Sequence, residues 1–193
     1  MTGDGTGGRA ARALASFVRL VEAITRAVGE AAAWLVLVVV GVCALVAVAR
    51  YGFGFGRIWL QELYVVAFGV SFMLMAAQAY AEDAHIRIDI LSRRWSPRTR
   101  AAVELAGGAL FLLPWLAVVA WSAWPFVRLS WQVREPSAQA GGLPALYLVK
   151  GTIPVFAALL ALQGLAAMAR ALLVLLGRED LLPLARRRAS ALG

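Results

Sequence analysis

One cysteine and one histidine are all that 193 residues contain, and each scarcity excludes a chemistry. Cys43 alone cannot close an intrachain disulfide or join a multi-cysteine metal site; in the middle of an apolar run it reads as a small hydrophobe. His85 alone excludes a haem held by two axial histidines. Asp83 and Asp89 lie near it in sequence, but without a further His or Cys they do not make a metal site. No serine or cysteine is marked for His85 to activate as a nucleophile. Neither an enzymatic activity nor a cofactor is therefore expected. Acidic residues are also scarce, 11 against 19 Lys plus Arg, for a formal charge of +8. A basic balance can indicate nucleic acid, but neither an RNA-type aromatic motif nor zinc-ligand spacing accompanies it, so nucleic acid is not an expected partner.

Charge is missing from long stretches as well. Hydrophobic residues make up 62% of the chain and the mean hydropathy is +0.76, well above the roughly 45–50% apolar usage of soluble domains. Several apolar runs reach the ~20 residues that cross a bilayer. Spans are expected at residues 31–49, 62–81, 105–127 and 151–169, in an all-α membrane protein with four transmembrane helices. Trp34, Trp59, Trp121, Trp124 and Trp131 fall where an interfacial aromatic belt is expected. Pro114, Pro125 and Pro154 are tolerable in membrane helices when neighbours satisfy the freed carbonyls, and a kink is expected near Pro114. The middle of every span is free of Asp, Glu, Lys and Arg. A charge there costs about 2.5–3.5 kcal/mol and commonly marks an ion or proton path. Its absence argues against autonomous transport, as does the lack of a visible inverted repeat. Small four-helix multidrug exporters rely on a carboxylate embedded in the first span, and residues 31–49 contain none.

Around the spans, residues 1–8 read as a flexible glycine-rich tail and 177–193 as a basic cytoplasmic tail. Residues 9–29 carry Leu14, Phe17, Val18, Val21, Ile24 and Val28 at helical spacing, with Arg12, Arg19, Glu22 and Arg26 largely opposite. That pattern predicts an amphipathic interfacial helix, retained rather than cleaved because charges interrupt its apolar stretch. Glu62 is expected in the first turn of the second helix, where the exposed N–H groups favour a carboxylate. A subunit contact and a coupling role are its alternatives. Gly69, Ser71 and Ala76 in that span would suit close approach by a partner helix.

The densest polar stretch, Glu82 to Arg100, separates the second and third spans. His85, Asp89 and Arg93 follow at four-residue spacing and would form one polar ladder on a helix. The alternation of Ile86, Ile88 and Ile90 would also suit a strand, but an isolated strand leaves its edges unpaired. A short cytoplasmic interfacial helix is expected here. Ser96-Pro97 then restarts the chain with an N-cap serine and proline at the first helical position. Lys and Arg number fourteen in the N-terminal segment, this connector and the segment from Arg170 onward, against five in the other two loops. The positive-inside rule then places both termini in the cytoplasm and the Glu135 loop outside.

Arg50-Tyr51, Phe53-Gly54, Trp59, Glu62-Leu63 and Ala79, then His85-Ile86-Arg87-Ile88-Asp89, Leu91, Arg94 and Pro97, together resemble the small membrane subunit of TRAP (tripartite ATP-independent periplasmic) transporters, the DctQ-like family. The likeness takes in all four spans. Ser130-Trp131-Gln132, Glu135, Ser137, Gly141-Gly142-Leu143-Pro144, Lys150 and Ile153-Pro154 resemble the branch associated with 2-oxo acids and related organic acids. Gln61 departs from the pattern, since many relatives carry an acidic residue there. The resemblance implies an inner-membrane assembly of three components. A periplasmic binding protein captures an organic anion, a large permease moves it on a sodium gradient, and the small subunit braces the permease among membrane lipids. Arg50, Trp59, Glu62, His85, Asp89, Glu135 and Ser137 are the candidate structural or subunit-interface residues. Glu135 and Ser137 would contact the binding protein or cap their own loop. The competing reading is a stand-alone membrane anchor or assembly protein whose basic connector binds anionic lipid.

Overall fold

The computed structural model describes residues 4–82 and 95–182, and among them every regular element is helical. Helix α1 spans Asp4–Phe53, α2 Ile58–Ala81, α3 Pro97–Gly107, α4 Leu113–Gln132 and α5 Leu146–Leu175, and a 3-10 turn covers Glu179–Leu181. A π-helical turn, Gly108–Leu112, joins α3 to α4. Four helical stretches among the described residues are long and apolar enough to cross a membrane: Gly8–Phe53, Ile58–Ala81, Pro97–Gln132 and Leu146–Leu175. The expected interfacial helix of the connector, with His85 and Asp89, lies outside the described residues.

Two local features follow directly from sequence. Ser96 caps α3, its hydroxyl accepting from the Thr99 N–H at 3.1 Å, and Pro97 takes the first helical position. Near Pro114 the backbone switches to π geometry, with the Leu113 N–H donating to the Gly108 carbonyl five residues back. Proline brings no N–H to the ladder, and a π turn immediately before it is one way a helix absorbs that loss.

Helix α1 departs from expectation in two ways. The boundary expected near residue 29 is absent, since 50 residues form one unbroken helix. Its buried side also keeps only part of the expected apolar set, Val18 and Val21 with Leu14 and Phe17 packed beside them, and small residues supply the rest. Ala11, Ala15, Val18, Val21, Thr25, Gly29 and Ala32 are buried at three- and four-residue spacing, whereas Leu20 and Ile24 are exposed. Lipid is as apolar as leucine, so large side chains gain little by turning inward, while small ones let backbones approach closely. Ser71 in α2 is likewise buried within the chain, its hydroxyl donating to the Phe68 carbonyl at 2.8 Å, so it does not face a partner. Nothing lies within 4 Å of a side chain placed at Gly69, which leaves that position open.

The described residues fall into two compact units. One draws on Met1–Ile24, Ala79–Leu116 and Ala161–Gly193. In it Ala11 and Ala15 pack with Leu173 and Leu182, and Val18 and Val21 with Ala166 and Ala169. Arg170 lies 3.7 Å from Glu22, and Gly108 and Gly164 admit the side chains of Met168 and Leu112 respectively. The other unit draws on Thr25–Gln78 and Ala117–Leu160. There Gly29 seats the Gln78 side chain, and the Thr152 hydroxyl donates to the Met73 sulfur at 3.2 Å.

Candidate functional site

Glu62 is the centre of a polar cluster in the second unit. Helix α2 begins at Ile58, four residues earlier, so Glu62 lies beyond the first turn and that turn contains no acidic residue. The expectation that it caps its own helix is therefore corrected. Its carboxylate instead accepts from two groups far along the chain. The Ser137 hydroxyl donates to Oε1, and the Leu143 N–H donates to Oε2 at 2.6 Å.

The chain between α4 and α5, residues 133–145, is folded to deliver those donors. The Glu135 N–H donates to the Ser130 carbonyl at 3.0 Å, and the Ser137 N–H donates to the Leu143 carbonyl at 2.8 Å. Ser137 Oγ accepts from the Gln139 N–H at 3.1 Å, so this hydroxyl both donates and accepts. Gly141 turns the chain with φ +77, a conformation strained for any residue bearing a side chain. Gly142 is required for a different reason. A methyl group at this position would lie 2.5 Å from Ser137 Oγ and 2.6 Å from Glu62 Oε2, inside the space the hydrogen bonds occupy. The Gly-Gly pair thus supplies one turn and one close approach, both serving the same carboxylate.

Glu135 is committed separately. Its carboxylate pairs with the Lys150 ammonium, which also sits 3.9 Å from the centre of the Phe126 ring. The Lys150 ammonium beside it holds the Glu135 carboxyl below its ordinary range. Trp131 meets Tyr147 edge-on at 5.3 Å, closing the two helix ends that flank the loop.

The structure therefore joins Glu62 to Ser137 directly and places Glu135, through its ion pair, at the base of the same loop. Arg50, in the last turn of α1, and Trp59, in the first turn of α2, are exposed and make no contact in this cluster. His85 and Asp89 lie outside the described residues. Sequence reasoning did not assign roles to Gly142 and to the Leu143 N–H. The Gly-Gly-Leu-Pro string gives a turn signal, but nothing local shows that a carboxylate 81 residues away fills it.

Both oxygens of Glu62 are engaged by protein donors, and the Glu135 carboxylate by Lys150. Groups so committed hold structure and do not form an acid–base pair. Among the described residues no cluster of three or more His, Cys, Asp or Glu could hold a metal ion.

Comparison with known families gives one result. Residues 39–174 match the family model described as "Tripartite ATP-independent periplasmic transporters, DctQ component". No curated protein and no solved structure matches the chain. The match covers well over half of the sequence, includes α2, α3, α4 and the loop that surrounds Glu62, and shows that the chain belongs to this family. It is the small permease subunit of a TRAP transporter, a transport component and not an enzyme. The family works with a large permease and a substrate-binding protein, and four apolar helices fit a multi-pass protein of the inner membrane.

Proposed function

From that membership we propose that this chain is the scaffold on which a large permease subunit moves an organic acid, a carboxylate or 2-oxo acid, into the cell on a sodium gradient. The observation that carries the scaffold reading is the commitment of Glu62: each of its oxygens is taken by the 133–145 loop. A carboxylate that coupled ion movement would exchange partners during transport, whereas one enclosed by its own chain fixes a surface. The distribution of Lys and Arg supports cytoplasmic termini and an exterior 133–145 loop, available to the binding protein. On the same reading His85 and Asp89 orient the cytoplasmic connector, and alanine at either position lowers the yield of complex more than it alters substrate affinity.

Expression of the chain with and without a co-encoded large permease tests the proposal. Stable copurification, together with uptake that requires both chains, is the expected result. Undiminished uptake by the large subunit alone sinks the scaffold role. Cysteines introduced at 138 or 140 should react with impermeant reagents from outside the cell; labelling only from the cytoplasmic side overturns the orientation.

A further inference from the structure

An open groove of about 470 Å³ runs along the end of α4 beside the start of α5, within the second unit. Its apolar walls come from Trp124, Val127, Trp131, Gly151 and Pro154. The lack of a side chain at Gly151 matters here, since a methyl group would lie 3.1 Å from the Trp131 ring. Two polar side chains, Arg128 and Gln132, also line the groove.

Charge determines what the groove suits. Arg128 is exposed, and no carboxylate among the described residues pairs with it. The two acidic side chains of the neighbouring loop and helix are engaged elsewhere, Glu135 by Lys150 and Glu62 by Ser137 and Leu143. The cation at the groove therefore seeks an external anion. The apolar walls beside it belong to helices long enough to cross a membrane, at the tryptophan-rich end where a span meets the headgroup region. An apolar channel carrying one unneutralised arginine at a tryptophan belt matches the two ends of one molecule.

We propose that this groove binds an anionic phospholipid, with an acyl chain along Trp124, Trp131 and Pro154 and the phosphate on Arg128. Gln132 can donate a further hydrogen bond to the headgroup. The inference needs only that the chain spans a membrane, and it stands or falls independently of the scaffold and substrate reading.

The test uses the full chain, purified from mixed micelles containing equal phosphatidylglycerol and phosphatidylethanolamine, with retained lipid counted by native mass spectrometry. Arg128→Gln should lower phosphatidylglycerol retention relative to phosphatidylethanolamine by about fivefold, the scale of one basic residue at a membrane surface. Arg57→Gln, which removes another exposed arginine of the same unit, should leave that ratio within about twofold, because a diffuse surface charge is screened. Equal losses in both variants mean general surface attraction and overturn the site, as does an unchanged ratio in Arg128→Gln. Loss of the lipid from the wild-type chain on co-expression with the large permease makes the groove a protein-docking surface and equally overturns the assignment.

Discussion

The loop around Glu62 and the contact between α1 and α5 are held by different physics. Around Glu62, shape depends on single atoms: one carboxylate, one hydroxyl, one amide and the missing side chain of Gly142. Where the N-terminal half of α1 meets the C-terminal half of α5, shape depends on volume, with alanines and valines packed against alanines and leucines. The loop has few apolar contacts and cannot tolerate an unmade hydrogen bond. The helix contact is packed through small side chains and cannot tolerate added bulk. Substitutions that are conservative in one region are therefore disruptive in the other, and that contrast is open to attack.

The largest effect is expected at Glu62. Alanine there leaves the Ser137 hydroxyl and the Leu143 N–H without their acceptor, and each unsatisfied group costs about 1–3 kcal/mol. Thermal unfolding of the detergent-solubilised chain should show Glu62→Ala as the least stable single variant of the loop. Glu62→Gln should lie between it and wild type, because one oxygen remains to accept. Ala166→Leu comes next. Ala166 is fully enclosed beside Val18 and Val21, and forcing bulk into such a site costs about 1–3 kcal/mol. Leu20→Ala, on the exposed face of α1, should change the same melting curve little. Equal losses at Leu20 and Ala166 would contradict the small-residue seam.

These two cases also show what was legible beforehand. Four long apolar runs separated by polar loops predict four helices, and Ser96-Pro97 predicts the start of α3, because hydropathy and capping act within a few residues. The apolar face of α1 was legible in part: Val18 and Val21 are buried and Leu14 and Phe17 pack beside them, while Ile24 is exposed and Ala11, Ala15 and Thr25 complete the inward side. In a membrane helix the inward side is set by close approach, and small residues carry it. Glu62 and Ser137 were both singled out as candidates, but their union was not, since 75 residues separate them and no periodicity spans that distance. Exposed Arg50 and Trp59 reflect the same limit: a residue type in a familiar spacing does not reveal what it touches.

The smallest effect concerns Lys150→Met. Lys150 holds the Glu135 carboxyl below its ordinary value of 4.5. A carboxylate with a depressed folded-state pKa contributes stability that is present above its unfolded pKa and lost as pH falls through the folded one. Wild type should therefore melt slightly above Lys150→Met at neutral pH, and the two curves should converge in acid below the folded-state value. A difference that grows in acid would show that the pair is not formed.

Hydrogen–deuterium exchange across residues 133–147 tests most directly whether Glu62 organises the loop between α4 and α5. In the wild-type chain the Leu143 amide should be protected, and in Glu62→Ala it should exchange at least about tenfold faster, the equivalent of losing roughly 1.4 kcal/mol. Amides of residues 166–175, in the helix contact, should keep their rates. Unchanged protection of Leu143 in Glu62→Ala would contradict the account.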